Sequence, residues 1–250
     1  MAVPHPRLST APRLFVDVLL TAGLTLPLPD AAGHYLGGVM RLGPGDTVRL
    51  FDDRSGEWLA TIVEATRKRV TVTVETRLGP RETVPDLWLC AAPLKRGRID
   101  WVVEKACELG VARVLPVVTQ RTVVERLKLD RLRAHMIEAA EQCERTALPE
   151  LAEPVTLAAL LASWPGGRAL IFADETGGAP LADIVRAAPA PAAILIGPEG
   201  GFTPDERSAI LAAGARAASL GPRILRADTA AVAALAVWQA LQEDDAAAAG

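Results

Sequence analysis

Along the first third of the chain, apolar positions fall in short runs separated by polar turns. Thr47 to Phe51, Trp58 to Val63 and Val70 to Glu75 are rich in β-branched residues and read as strands. Gly43-Pro44-Gly45-Asp46 and Asp52-Asp53-Arg54-Ser55-Gly56 read as the turns between them. His34 to Leu42 is placed as one short helix inside this group. The pattern predicts a small β-barrel over residues 1–78. Leu78 to Pro85 (LGPRETVP) reads as a linker.

Beyond the linker the pattern changes to alternating apolar strands and amphipathic helices. Asp86–Ala92, Val111–Val118, Ala169–Ala173, Ala192–Ile196 and Ala217–Leu220 are expected as strands. Arg98–Leu109, Asp130–Arg145, Leu157–Ala162, Pro180–Ala187, Pro204–Ala213 and Thr229–Leu241 are expected as helices. On the second of these, Leu132, Met136, Ala139 and Cys143 share one face. Alternation of this kind implies an α/β domain, residues 84–243, built on a mostly parallel sheet with helices on both faces. Residues 244–250 are expected as a disordered tail.

Composition narrows the function classes. The 250 residues are 50% hydrophobic and 23% charged, with a formal net charge of −3 and no basic tail. A nucleic-acid partner would therefore need a local basic face. Cys90, Cys107 and Cys143 form no C-x-x-C pair, which points to a reducing compartment without a disulfide framework. Cys107 and Cys143 are expected as buried apolar residues on helices. His5, His34 and His135 do not form a metal-ligand set, and no metal is expected. There is no apolar signal core at the N-terminus and no run of eighteen apolar residues, so a cytoplasmic protein without a membrane span is expected.

Two loops carry the candidate chemistry. Ile194 to Glu206 (ILIGPEGGFTPDE) reads as a buried strand, a glycine turn and a helix start. Thr203, Pro204 and Glu206 supply the cap, the first helical position and a capping box. The loop is neither a P-loop nor the G-x-G-x-x-G fingerprint. Its plain alternative is a tight turn that binds nothing. Leu220 to Ala230 (LGPRILRADTA) repeats the strand-to-helix arrangement. Two Gly-Pro loops at successive strand ends favour a shared ligand pocket, because open α/β sheets bind ligands at the carboxyl ends of their strands.

The pair IGPEGGFTPDE and LGPRILRADTA closely resembles the ribosomal RNA small-subunit methyltransferase E family, of the SPOUT class. Lys95-Arg96-Gly97-Arg98 with Val103 to Val111 is similar to that family's K-x-x-R…K-x-x-E-L-G-V segment. Glu138 to Arg145 is similar to its A-x-E-Q-S-x-R helix, and Tyr35 to Asp46 to a motif of its N-terminal domain. Asp228 stands where that family usually has Glu, and Glu144 where it usually has a small residue.

The resemblance implies a PUA-like RNA-binding barrel followed by an α/β domain with a deep C-terminal trefoil knot, assembled as a homodimer. It implies S-adenosylmethionine as cofactor, held by Leu195, Ile196, Gly197, Glu199, Gly200, Gly201, Leu220, Gly221, Ile224 and Leu225. Phe172 to Glu175 would close the pocket. The implied reaction is methylation of N3 of a uridine in 16S ribosomal RNA of the 30S subunit. Arg226 would stabilise charge on the uracil oxygens, and Asp228 or a water would take the proton. RNA would meet Arg13, Lys95, Arg96, Arg98 and Arg145. Ribose 2′-O-methylation and a non-catalytic PUA-like RNA-binding role are the alternatives. The aliphatic-arginine sequence at 224–228 and the intact glycine loops stand against them.

Overall fold

The computed structural model describes residues 11–66, 69–95, 97–124, 126–188 and 190–248, with the side chains of 243–248 excepted. The chain packs as two units. One is Met1–Thr83 with Ala140–Leu148, and the other is Val84–Ala139 with Pro149–Gly250.

In the first unit, β1 (Arg13–Phe15), β2 (Thr25–Pro27), β3 (Thr47–Phe51), β4 (Glu57–Ala65) and β5 (Val70–Gly79) form one sheet in the order β1-β3-β4-β5-β2. Only β1 and β3 are parallel. Period-two alternation puts Val70, Val72 and Val74 wholly inside, with Val48, Leu50 and Ile62. Each such aliphatic contributes roughly 1.5–3 kcal/mol of burial. The sequence reading shortens β5, whose strand pairing takes in Leu78 and Gly79. The expected helix from His34 is instead α1 (Asp30–Gly33) continuing into a π-helical segment, His34–Val39. At the β3–β4 turn Gly56 has φ +99° and lies so close to Gly79 that any Cβ would overlap its carbonyl oxygen.

This unit also takes in a stretch that the sequence reading assigns to the second domain. The helix expected over Asp130–Arg145 spans Leu129–Gln142 and so ends short of Arg145. Beyond it Glu144 has φ +62°, a left-handed turn that no α-helix accommodates. Arg13 donates to the carbonyls of Ala140 at 2.6 Å and Arg145 at 2.7 Å, and its guanidinium lies 3.9 Å from the centre of the Phe51 ring. The Glu82 carboxylate accepts from the amides of Thr146 and Ala147, and Asp53 accepts from that of Leu148. Glu144 pairs with Arg49 at 2.7 Å. That hydrogen bond holds its carboxyl below the usual range. Cys143, past the helix end, is exposed rather than buried.

The second unit is an α/β layer on an eight-stranded sheet. Its strands are β6 (Leu87–Ala91), β7 (Arg113–Val118), β8 (Glu150–Leu151), β9 (Val155–Thr156), β10 (Ala169–Ala173), β11 (Ala179–Pro180), β12 (Ala192–Ile196) and β13 (Arg216–Ser219). The order is β11-β13-β10-β12-β6-β7-β8, with β9 also on β7, and all pairs are parallel. The helices are α2 (Arg98–Glu108), α3 (Leu129–Gln142), α4 (Leu157–Ala162), α5 (Leu181–Arg186), α6 (Pro204–Ala212) and α7 (Ala227–Ala248). β12 lies between β10 and β6, which explains why all five of its residues are buried. α7 runs past the expected end at Leu241 and takes in most of the expected tail, of which residues 249 and 250 lie outside the described residues.

Candidate active site

Three chain segments leave the carboxyl ends of adjacent strands β12, β10 and β13, and together they line one cavity of about 520 Å3. That size and its mixture of aliphatic and polar lining suit a small organic ligand. All of it lies within the second unit.

The segment after β12 is the glycine loop. Gly201 donates its N–H to Pro198 O at 2.9 Å and has φ +67°. A Cβ there would stand 2.7 Å from Glu175 Oε1, and one on Gly197 would stand 3.1 Å from the Phe202 ring. These two glycines thus keep space that a side chain would fill. The loop ends in the expected capping box. Thr203 N–H donates to Glu206 Oε2 at 2.9 Å, and Glu206 N–H donates to Thr203 Oγ1 at 3.2 Å.

After β13, Leu220 to Arg226 line the cavity. Gly221 has φ +111°, and its N–H donates to Ser219 Oγ at 3.3 Å. The carbonyl of Arg226 accepts the first described helical bond of α7, from Ala230 N–H at 2.8 Å. Asp228 sits in the first turn of α7, where the helix dipole favours a carboxylate. Arg98, at the start of α2, stands 3.8 Å from Asp228 Oδ2 and 3.9 Å from Glu199 Oε1.

The third segment, Ala173 to Gly177, follows β10. Asp174 accepts from Thr176 Oγ1 at 2.8 Å and from Arg207 Nε at 2.8 Å. Burial alone would raise its pKa, but hydrogen bonds from Thr176 and Arg207 outweigh that and hold it below the usual carboxylate range.

Most of the expected donor-binding residues line this cavity: Ile196, Gly197, Glu199, Gly201, Leu220, Gly221, Ile224 and Leu225, with Arg226 beside them. Leu195 does not. It is paired on both sides and its side chain is wholly buried in the sheet, so it stands behind the wall. Gly200 faces Arg121 rather than the cavity. Ile224 lines the rim but is 80% exposed, so it does not pack as a closed wall. Asp228 reaches the cavity only through Arg98.

The expected RNA contacts divide. Lys95 is exposed and Arg98 lies at the cavity, while Arg96 lies outside the described residues. Arg13 and Arg145 are only 7% and 5% exposed. Arg13 is engaged by Glu57, Phe51 and two carbonyls, and Arg145 Nε lies 3.4 Å from Glu82. Both side chains are buried and engaged within the first unit, not displayed on its surface. The sequence reading passes over Arg121 and Arg207: Arg121 meets the glycine loop from 79 positions away, and Arg207, though it directly follows the capping box, finds its partner Asp174 33 positions earlier. Burial pushes the Cys90 thiol up to about 12, which removes it as a nucleophile. Among the described residues no cluster of His, Cys, Asp and Glu could hold a metal ion, and no helix is long and apolar enough to cross a membrane.

Residues 81–239 match the RNA methyltransferase domain family, and residues 28–75 match the RNA methyltransferase PUA domain family. A ribosomal RNA small subunit methyltransferase E of Synechocystis is 33% identical over 95% of this chain and 78% of its own length. The chain belongs to the ribosomal RNA small subunit methyltransferase E family. The member from Rickettsia conorii is 29% identical over 90% of this chain and 93% of its own. Among solved structures, the methyltransferase E of Neisseria gonorrhoeae, bound to S-adenosylmethionine, superposes with a TM-score of 0.84 at 29% identity, covering 92% of this chain and 98% of that one. A Legionella pneumophila protein solved with the same compound gives 0.83 at 32% identity, covering 92% and 97%.

Proposed function

We propose that this chain methylates N3 of a uridine in 16S ribosomal RNA of the small subunit, with S-adenosylmethionine as methyl donor. The carrying observation is the cavity between the two Gly-Pro loops. It lies in the stretch that matches the RNA methyltransferase family, and similar structures covering 92% of the chain were solved with that donor bound.

The residues present fit the donor. Ile196, Leu220 and Leu225 offer aliphatic surface for the adenine faces, and the Gly197–Gly201 backbone offers polar groups for its edges. Glu175 and Glu199 bring negative charge into the cavity, which suits a sulfonium. Bound there, S-adenosylmethionine supplies an electrophilic methyl group on positive sulfur. The loops hold the acceptor base close, and positioning of this kind itself contributes much of the rate.

Uracil N3–H must lose its proton as the methyl arrives, so charge builds on the flanking carbonyl oxygens. Arg226, which lines the cavity and is exposed, stabilises that charge in this proposal. An arginine is a poor base, because its pKa is above about 12. Asp228 or a water receives the proton, with Arg98 beside the carboxylate. Lys95 and Arg98 supply cations for the RNA backbone, and the first unit a PUA-like barrel that binds RNA. The chain acts in the cytoplasm as a homodimer, with a trefoil knot in which the chain after Leu220 threads through a loop formed earlier.

The test is transfer of labelled methyl from S-adenosylmethionine to 30S subunits or 16S RNA lacking the modification, followed by nucleoside analysis. N3-methyluridine is the expected product. Label on a ribose, or no transfer to either substrate, overturns the reading.

A further inference from the structure

Arg121 lies between β7 and α3, outside the cavity lining, and no step above uses it. Its Nη1 donates to the carbonyl of Gly200 at 2.6 Å and to that of Phe202 at 3.3 Å. Its stem lies against Gly200, where a Cβ would stand 3.4 Å from Arg121 Cδ. A second tie runs alongside. Glu206, 7% exposed, caps Thr203 with one oxygen and accepts from Gln120 N–H at 2.7 Å with the other. The segment that carries both ties is itself closed, since Thr119 N–H donates to Thr122 Oγ1 at 2.9 Å and Thr122 N–H to Thr119 O at 3.1 Å.

The glycine loop has few side chains with which to hold its own shape, and glycines are the residues with most freedom to lose. A peptide unit is planar, so fixing the Gly200 carbonyl fixes the Gly201 N–H, and fixing that of Phe202 fixes the Thr203 N–H. Those two N–H groups are the ones that close the Pro198 turn and the helix cap. Arg121 therefore controls the two peptide planes on which the loop's conformation depends. A bent loop held in advance binds its ligand without the ordering cost.

We infer that Arg121 is a positioning residue for methyl-donor binding, holding Gly197–Phe202 in its binding shape from outside the cavity; this rests on the donor reading above. Both bonds leave the one nitrogen Nη1; lysine can keep the charge, but its freely rotating ammonium lacks the fixed, planar donor directions of the guanidinium.

The experiment is calorimetric titration of S-adenosylmethionine into wild type, Arg121→Ala and Arg121→Lys, with steady-state kinetics on the same preparations. Arg121→Ala is expected to weaken donor binding by about tenfold or more, from the loss of charged hydrogen bonds. KM for the donor rises in step while kcat at saturating donor changes much less, and Arg121→Lys falls between the two. Donor affinity in Arg121→Ala equal to wild type, or a loss of kcat at unchanged affinity, overturns the inference. Should Arg121→Ala not fold, Arg121→Lys carries the same criteria. A wild type that binds no donor instead overturns the proposed function, and this inference with it.

Discussion

Asp174 and Arg207 join the end of β10 to α6 through a 2.8 Å hydrogen bond from Arg207 Nε to Asp174 Oδ2. The aspartate is almost wholly enclosed and the arginine is partly in solvent. The same pair lines the cavity, so it bears on both stability and the site.

Its pH dependence has a definite sign. Asp174 is held below its ordinary value once folded, so its stabilisation is complete above the unfolded value of about 3.9 and is lost as pH falls through the lower folded value. Asp174→Asn is expected to melt below wild type at pH 7, with the gap closing in acid. Melting curves at several pH values check this, and a gap independent of pH contradicts it.

Gly201→Ala places a methyl group at φ +67° and against Glu175. The left-handed conformation alone costs roughly 1–2 kcal/mol for a residue with a Cβ. The Glu175 carboxylate can swing aside, but only by rearranging the cavity. Donor affinity is expected to fall by about tenfold or more, given that 1.4 kcal/mol is one decade. Calorimetry measures it; affinity within twofold of wild type would show that the loop tolerates the side chain.

Arg226→Ala is expected to lower kcat by about a hundredfold, in line with the loss of one charge-stabilising donor. Donor affinity should stay near wild type, because the Arg226 contribution to α7 is a main-chain carbonyl. Single-turnover methylation beside donor titration separates the two, and wild-type turnover refutes the role.

Asp52 tests the first unit alone. Wholly buried, it accepts from the amides of Leu20, Arg54 and Ser55 and from the Ser55 hydroxyl at 2.7–2.9 Å. Asp52→Ala orphans these donors and is expected to cost about 2–4 kcal/mol. Denaturant unfolding gives the figure. A cost under about 1 kcal/mol would mean that water replaces the carboxylate at no penalty.

Those features of the site that are contiguous in sequence could be read from it. The β12 run, the Thr203-Pro204-Glu206 start of α6 and the two Gly-Pro loops are local, so period and cap chemistry reveal them. What pairs across distance could not be read so. Nothing around Arg13 says that it will reach the carbonyls of Ala140 and Arg145, so a buried strut passes in sequence for a surface cation. Arg121 is silent for the same reason, since its acceptors lie 79 and 81 positions away. β8, β9 and β11 are two residues each, too short for a period to show. The early end of α3 turns on one left-handed residue, Glu144, which helix propensity does not flag.

The identity of the methylated atom is settled by mass mapping of small-subunit ribosomal RNA from cells with and without this gene. One uridine is expected to carry a base methyl group at N3 in wild type, to lose it in the deletion and to regain it when the chain is restored. A 16S methylation pattern unchanged by the deletion, or loss of a ribose methyl group instead, would exclude uridine-N3 methylation by this chain.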